Sequence, residues 1–145
     1  GGERLQAVAA LLPFYDIDPG KIRILGTGQW DEPGIGAEPA LVGSWFAAPP
    51  PVARAEFERR FEDVFGAKPR RLATLAYDAA ALAVVLAGAE GGPDYSEATL
   101  GAPSGFAGRD GVFRFRSDGT AERGLAVLEV QPQGAKVIGE APRSF

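Results

Sequence analysis

Residues 51–87 carry the feature that most constrains the fold: two helical periods in succession, separated by one break. Phe57, Phe61, Val64 and Phe65 recur at i, i+4, i+7 and i+8, which lines one face of an amphipathic helix. Pro51 fits the first helical position, where its missing N–H costs nothing. Gly66 reads as the C-terminal cap, with Pro69 beyond it. Arg71–Ala87 predicts a second helix, with Leu72, Leu75, Ala76, Ala79, Leu82, Ala83 and Leu86 as a broad face of small and apolar residues. Such a face is made to pack closely on a sheet or another helix, and "EGGPD" ends it.

The flanking segments have a different period. Upstream, Glu3–Phe14 predicts a helix with Leu5, Val8 and Leu12 on one face, and "YDIDPGK" a turn. Ile22–Leu25 then predicts a short strand stopped by Gly26, and Leu41–Ala47 a second, thin at Gly43 and Ser44. Downstream, Ser96–Leu100 predicts a helical turn. "VFRFR" over 112–116 alternates as a strand does, with Phe113 and Phe115 inward and the arginines outward. Asp118-Gly119 is a hairpin pair, "GLAVLEV" another strand, "QPQG" a turn and "AKVIG" a last strand. No internal repeat interrupts this order. It predicts an α/β fold with an appended antiparallel β-meander.

Composition narrows the function. The 145 residues suit one domain, and 46% hydrophobic content permits a sizeable core. The 20 glycines and 12 prolines are scattered between apolar runs as punctuation. A net charge of −4 and a pI near 4.9 argue against nucleic acid, which needs a basic face, and give no polybasic hold on anionic lipid. With no Cys and no His, disulfides, Cys-rich zinc sites and His-dependent triads are excluded within the chain. No apolar run reaches the roughly 20 residues of a membrane helix, and no signal peptide is visible. The opening "GGERLQ", without Met, suggests a mature or truncated chain.

Candidate chemistry is sparse. "GTG" after a strand invites a dinucleotide reading, but the fingerprint needs a third glycine where Asp31 stands, and "DEPG" is a poor helix start for an anion. A tight turn is the better account. Trp30 follows the carboxyl end of a strand, where open α/β sheets bind ligands, and Trp45 and Phe46 end the next strand. Each is either a ligand-facing ring or a packing residue. The carboxylates Glu56, Glu58, Glu62 and Asp63 lie among Arg54, Arg59 and Arg60 as a solvated helix face. "RDGVFRFRSDG" lacks the regular oxygen ligands of a calcium loop. No nucleophile–base pair, metal set or cofactor motif emerges, so the residues predict no enzyme.

Four stretches in order, "RILGTGQWDEP", "LVGSWFAAPPP", "FERRFEDVFGAKPRRLATLAYDAAALAVVL" and "GFAGRDGVFRFRSDGTAERGLAVLEV", resemble the C-terminal part of type 1 periplasmic binding proteins. The resemblance is to the branched-chain amino-acid receptor type, and within it to bacterial penicillin-binding protein activators. It implies a fragment of a two-lobe fold with Rossmann-like sheets, flanking helices and a ligand cleft between the lobes. Residues 1–47 would end the second lobe, 48–105 would cross to the first, and 106–145 would return as the meander. It also implies a non-catalytic solute-binding component of ABC-transporter type, periplasmic or lipid-anchored facing the periplasm, for an amino acid or related small polar ligand. The alternative is a regulator that binds a cell-wall synthase. Thr27, Gly28, Gln29 and Trp30 would face the ligand. In the amino-acid receptors this loop carries an acid that pairs with the ligand's ammonium; here that position falls at or beside Gly28, which puts ordinary amino-acid binding in question. The Phe57/Phe61/Phe65 stripe would be covered by the missing N-terminal portion or by a second copy of the chain.

Overall fold

The computed structural model describes residues 2–145. Two compact units emerge, Gly1–Ala48 with Ala126–Glu140, and Pro49–Leu125 with Ala141–Phe145. The chain therefore passes between them at 48/49, 125/126 and 140/141.

The first unit is built on a four-stranded sheet. β1 (Leu25–Gly26) runs parallel to β2 (Trp45–Ala48), whose other edge pairs antiparallel with β6 (Ala126–Gln131). β6 and β7 (Gly134–Gly139) form a hairpin across Pro132-Gln133. Alternate residues of β6, namely Ala126, Leu128 and Val130, are buried with Phe46, Ala48 and Leu41. This is the period-two burial of a sheet with one covered face. Gly36 lies against the far end of β6, where a Cβ would stand 1.8 Å from the Gln131 carbonyl oxygen, so only glycine fits.

Three expected elements of this unit are shorter than their apolar patterns. α1 is Gly2–Ala9, and a separate 3₁₀ turn covers Pro13–Tyr15. Pro13 cannot donate within a helix, and the bonding has already tightened, with the N–H of Leu11 on the Val8 carbonyl and that of Leu12 on Ala9. The strand expected over Ile22–Leu25 is reduced to β1, although Trp45 N–H still donates to the Ile24 carbonyl (3.0 Å). The strand expected from Leu41 begins only at Trp45, because Pro39–Leu41 is a 3₁₀ turn and Gly43 turns the backbone at φ 83°.

The second unit holds the helix pair and a three-stranded antiparallel sheet, β3 (Phe106–Gly108), β4 (Gly111–Phe115) and β5 (Ala121–Arg123). α2 (Pro51–Phe65) starts at Pro51 as expected and stops at Gly66, whose φ of 69° lets its N–H reach the Glu62 carbonyl. Its aromatic stripe is packed only at its start. Phe57 is buried against Tyr77, Phe61 is half-buried, and Val64 and Phe65 are exposed. α3 (Ala73–Ala87) buries a narrower face than its composition suggests, Thr74, Asp78, Leu82 and Leu86 at four-residue steps, while Leu72, Leu75, Val84 and Val85 are exposed. Leu82, Leu86 and Phe113 form the core, joined by Leu100 of α4 (Glu97–Leu100), Phe106 and Phe115.

The strands expected as one meander over 106–145 fall into two sheets, β3–β5 in the second unit and β6–β7 in the first. Alternation tells which side chains a strand buries but not which sheet it joins. Just before the passage at 125/126 stands Gly124, where a Cβ would meet the Val112 side chain at 2.8 Å and Pro142 at 2.6 Å.

Candidate functional site

β1 and β2 are parallel, so their carboxyl ends lie side by side at one edge of the first unit, and open α/β sheets bind ligands outside such ends. The chain leaves β1 through Thr27 into a 3₁₀ turn, Gly28–Trp30. Trp30 N–H donates to the Thr27 carbonyl (2.9 Å) and Asp31 N–H to the Gly28 carbonyl (3.2 Å). The Thr27 hydroxyl accepts the Gln29 N–H at 3.4 Å, a long capping bond. A Cβ at Gly28 would lie 3.3 Å from the Ala47 carbonyl oxygen, which seats the turn against the carboxyl end of β2. Ala48 pairs with Ala126 and Val127 with Gly139, so all three passages of the chain leave this unit at the same edge.

The four expected ligand-facing residues divide into two kinds. Thr27 and Gln29 are exposed and Gly28 is half-buried. Trp30 is 8% exposed, with its indole across Gly26 and 6.3 Å from the Phe46 ring. A Cβ at Gly26 would stand 2.2 Å from that indole, so the glycine in front of the turn makes room for the tryptophan behind it. "GTGQW" is thus a tight turn braced by its own aromatic ring.

Trp45 and Phe46 are packing residues as well. Phe46 is buried, and Trp45 is held at the opposite end of β2. Its Nε1 donates to Glu129 Oε2 at 3.0 Å, and the Arg23 guanidinium lies 4.6 Å over its ring while also donating to the Gly43 carbonyl. Gln131 Nε2 takes the other oxygen of Glu129 at 2.7 Å.

Sequence reasoning missed a charged cluster in the second unit. Asp78, on the buried face of α3, accepts the N–H groups of Arg109 (2.7 Å) and Asp110 (3.4 Å) and pairs with Arg123 (3.3 Å). Asp110 accepts from the Thr74 hydroxyl (2.9 Å) and from Arg71 (3.3 Å). Both carboxylates are buried, and their partners tie the β3–β4 turn to α3. The available signal was the placement of Asp78 four residues from Thr74 and from Leu82 on an otherwise alanine-rich helix. The same packing requires glycine at 108, where a Cβ would stand 2.5 Å from Asp78 Oδ2. Among the described residues no three His, Cys, Asp or Glu side chains gather as a metal site, and no helix is long and apolar enough to cross a membrane.

No protein-family model matches the chain, and no curated protein matches it. Solved structures do. A branched-chain amino acid ABC transporter protein of Rhodospirillum rubrum is similar with a TM-score of 0.65 and 24% identity, over 81% of this chain and 37% of that one. A leucine-binding protein of Thermotoga maritima gives 0.52 and 23%, over 91% and 41%. A solute-binding ABC-transporter protein of R. palustris, solved with benzoate, gives 0.50 and 22%, over 94% and 41%. The chain spans about two fifths of the length of these proteins. What the likeness establishes is the fold: this chain is built as part of the type 1 periplasmic binding fold of ABC-transporter solute-binding proteins.

Proposed function

We propose that the chain recognises a small solute without transforming it, as part of a periplasmic solute-binding protein of ABC-transporter type. Thr27, Gly28 and Gln29 contact the ligand, an amino acid or related small polar molecule, and Trp30 braces the turn from behind. The observation that carries this reading is the position of the turn. It stands at the carboxyl ends of two parallel strands, on the edge where the chain leaves the unit three times. The similar proteins named for branched-chain amino acids and leucine, and the one solved with benzoate, support a solute of that size. Calorimetry with amino acids and small organic acids tests it. Saturable heat with one of them, lost in Thr27→Ala and Gln29→Ala, is the expected result. No heat with any of them would sink it.

A second reading is favoured by one feature of the same turn. Trp30 and Phe46 are buried, so neither ring is presented to a ligand, and residues 27–29 carry no charge. A regulator of cell-wall synthesis, descended from such receptors and holding a synthase in place of a solute, would need neither. Silence in calorimetry, together with pull-down of a synthase that Gln29→Ala weakens, would select this reading.

A further inference from the structure

We infer that the exposed Phe14–Tyr15–Asp16 turn of one copy of the chain docks into the aromatic groove between α2 and α3 of a second copy. The rings enter the groove, and the carboxylate meets the arginines at its mouth.

The groove lies within the second unit and measures about 210 Å³. Its wall is Phe57, Phe61 and Phe65, at four-residue steps along α2, with Tyr77 of α3 beside them. Ring centroids lie 5.4 Å apart between Phe57 and Tyr77 and 4.4 Å apart between Phe61 and Phe65. Phe65 and Tyr77 are nevertheless exposed. Arg60 and Arg109 are the charged residues of the wall, and among the described residues no carboxylate joins them there. Just outside it Glu56 is shared, 2.6 Å from Arg60 and 3.8 Å from Arg109. One carboxylate between two guanidiniums leaves a positive charge over. The other acids of α2 do not cancel it. Asp63 pairs with Arg59 (3.2 Å) and Glu58 with Arg54 (2.7 Å), and the helical period turns Glu62 to the opposite flank.

The turn belongs to the first unit. Phe14 is 81% exposed and Tyr15 67%, with their rings edge to face at 5.3 Å. The Asp16 N–H on the Pro13 carbonyl (3.2 Å) and the Ile17 N–H on the Leu12 carbonyl (3.0 Å) fix the backbone that presents them, so little order remains to be gained on docking. Residues 13–18 carry two carboxylates and no cation. Asp18 pairs with Lys21 (3.5 Å), which leaves the exposed Asp16 for the arginines. Large rings left this exposed mark contact surfaces, and aromatic and arginine side chains are the ones such surfaces favour. An acidic turn bearing rings and a basic groove lined with rings match in shape class and in charge. Each copy has one of each, so the contact is heterologous.

Sedimentation of the full chain between about 1 µM and 1 mM tests this. Reversible association is expected in that range, weaker at high salt because the charged part is screened. Phe14→Ser and Phe65→Ser each remove one exposed ring. Both should keep the circular dichroism of the parent and weaken self-association at least about tenfold. Mixed together they should recover a one-to-one pair, because one variant keeps the groove and the other keeps the turn. Asp16→Asn, which suits the left-handed backbone there (φ 57°), should weaken association by a smaller factor. A monomer throughout the range overturns the inference, even if the groove captures a segment of some other protein. So does association that either single variant leaves intact, as pairing through the outer face of α3 would. A mixture of the two folded variants that stays monomeric overturns it as well.

Discussion

The 27–30 turn of the first unit and the α3–β4 junction of the second both gather polar side chains, and they treat them in opposite ways. At the junction Asp78 and Asp110 are buried, and Arg71, Thr74, Arg123 and two backbone N–H groups converge on them. At the turn Thr27 and Gln29 are exposed and uncharged, and the buried member is an aromatic ring. Polar groups that a fold needs are desolvated and paired, because an unpaired buried charge is costly. Groups left exposed on a rigidly braced turn remain available to something outside the chain. The buried charged cluster is therefore structural, and the turn keeps exposed the groups that the proposed recognition would use.

The contrast is most easily broken at Asp78. Asp78→Ala would strand Arg123 and the N–H groups of Arg109 and Asp110, and breaking a buried pair in this way costs about 3–5 kcal/mol. Urea denaturation followed by circular dichroism should show the midpoint fall accordingly. A change no larger than that of an exposed substitution would mean the junction is not what holds the second unit together.

Gly26→Ala comes next. The added methyl would have to displace the indole of Trp30, and overpacking of this kind costs about 1–3 kcal/mol. Trp30 emission should shift to the red as the ring is pushed toward water, while Trp45, held by Glu129 and Arg23, reports no change. Thr27→Ala and Gln29→Ala should sharpen the comparison from the other side. Each removes an exposed group, so stability should stay within about 0.5 kcal/mol of the parent. Affinity for the proposed solute should nevertheless drop at least about tenfold. A large loss of stability in either variant would place the turn with the structural cluster.

Much of the second unit is legible in the residues themselves. α2 begins at Pro51 and ends at Gly66, and Ser96 caps α4, because these ends are governed by local backbone chemistry. The first unit is less so. The apolar runs at 22–25 and 41–47 look alike, yet only residues with a pairing partner become strand, and that is decided by chain far away in sequence. The turn at 27–30 is visible from its glycines, but whether Trp30 faces in or out depends on the bare face of Gly26 and on Phe46, 16 residues beyond it in sequence. The Asp78 cluster joins residues from 71 to 123, and no short-range pattern encodes it.

The smallest expected effect concerns an exposed carboxylate that is paired but not buried, intermediate between the two regions. Asp94 accepts the Thr99 hydroxyl (2.5 Å) and the Ser96 N–H (2.9 Å) at the start of α4. These bonds, that from Thr99 foremost, hold its pKa below the ordinary 3.8. A carboxyl more acidic in the folded chain than in the unfolded one favours folding above its unfolded value. That contribution is lost as the pH falls through the lower folded value. Below about pH 4, therefore, the Ser96 amide should lose protection against exchange while Asp78, Asp110 and the rest of the junction are read separately at their own amides. In an NMR titration the Asp94 carboxyl carbon should show its midpoint under 3.8. Asp94→Asn should abolish the acid step at Ser96 and leave the urea midpoint at neutral pH nearly unchanged, since an exposed cap is worth far less than a buried pair. An acid step that persists in Asp94→Asn would assign it to another carboxyl and remove this site from the series.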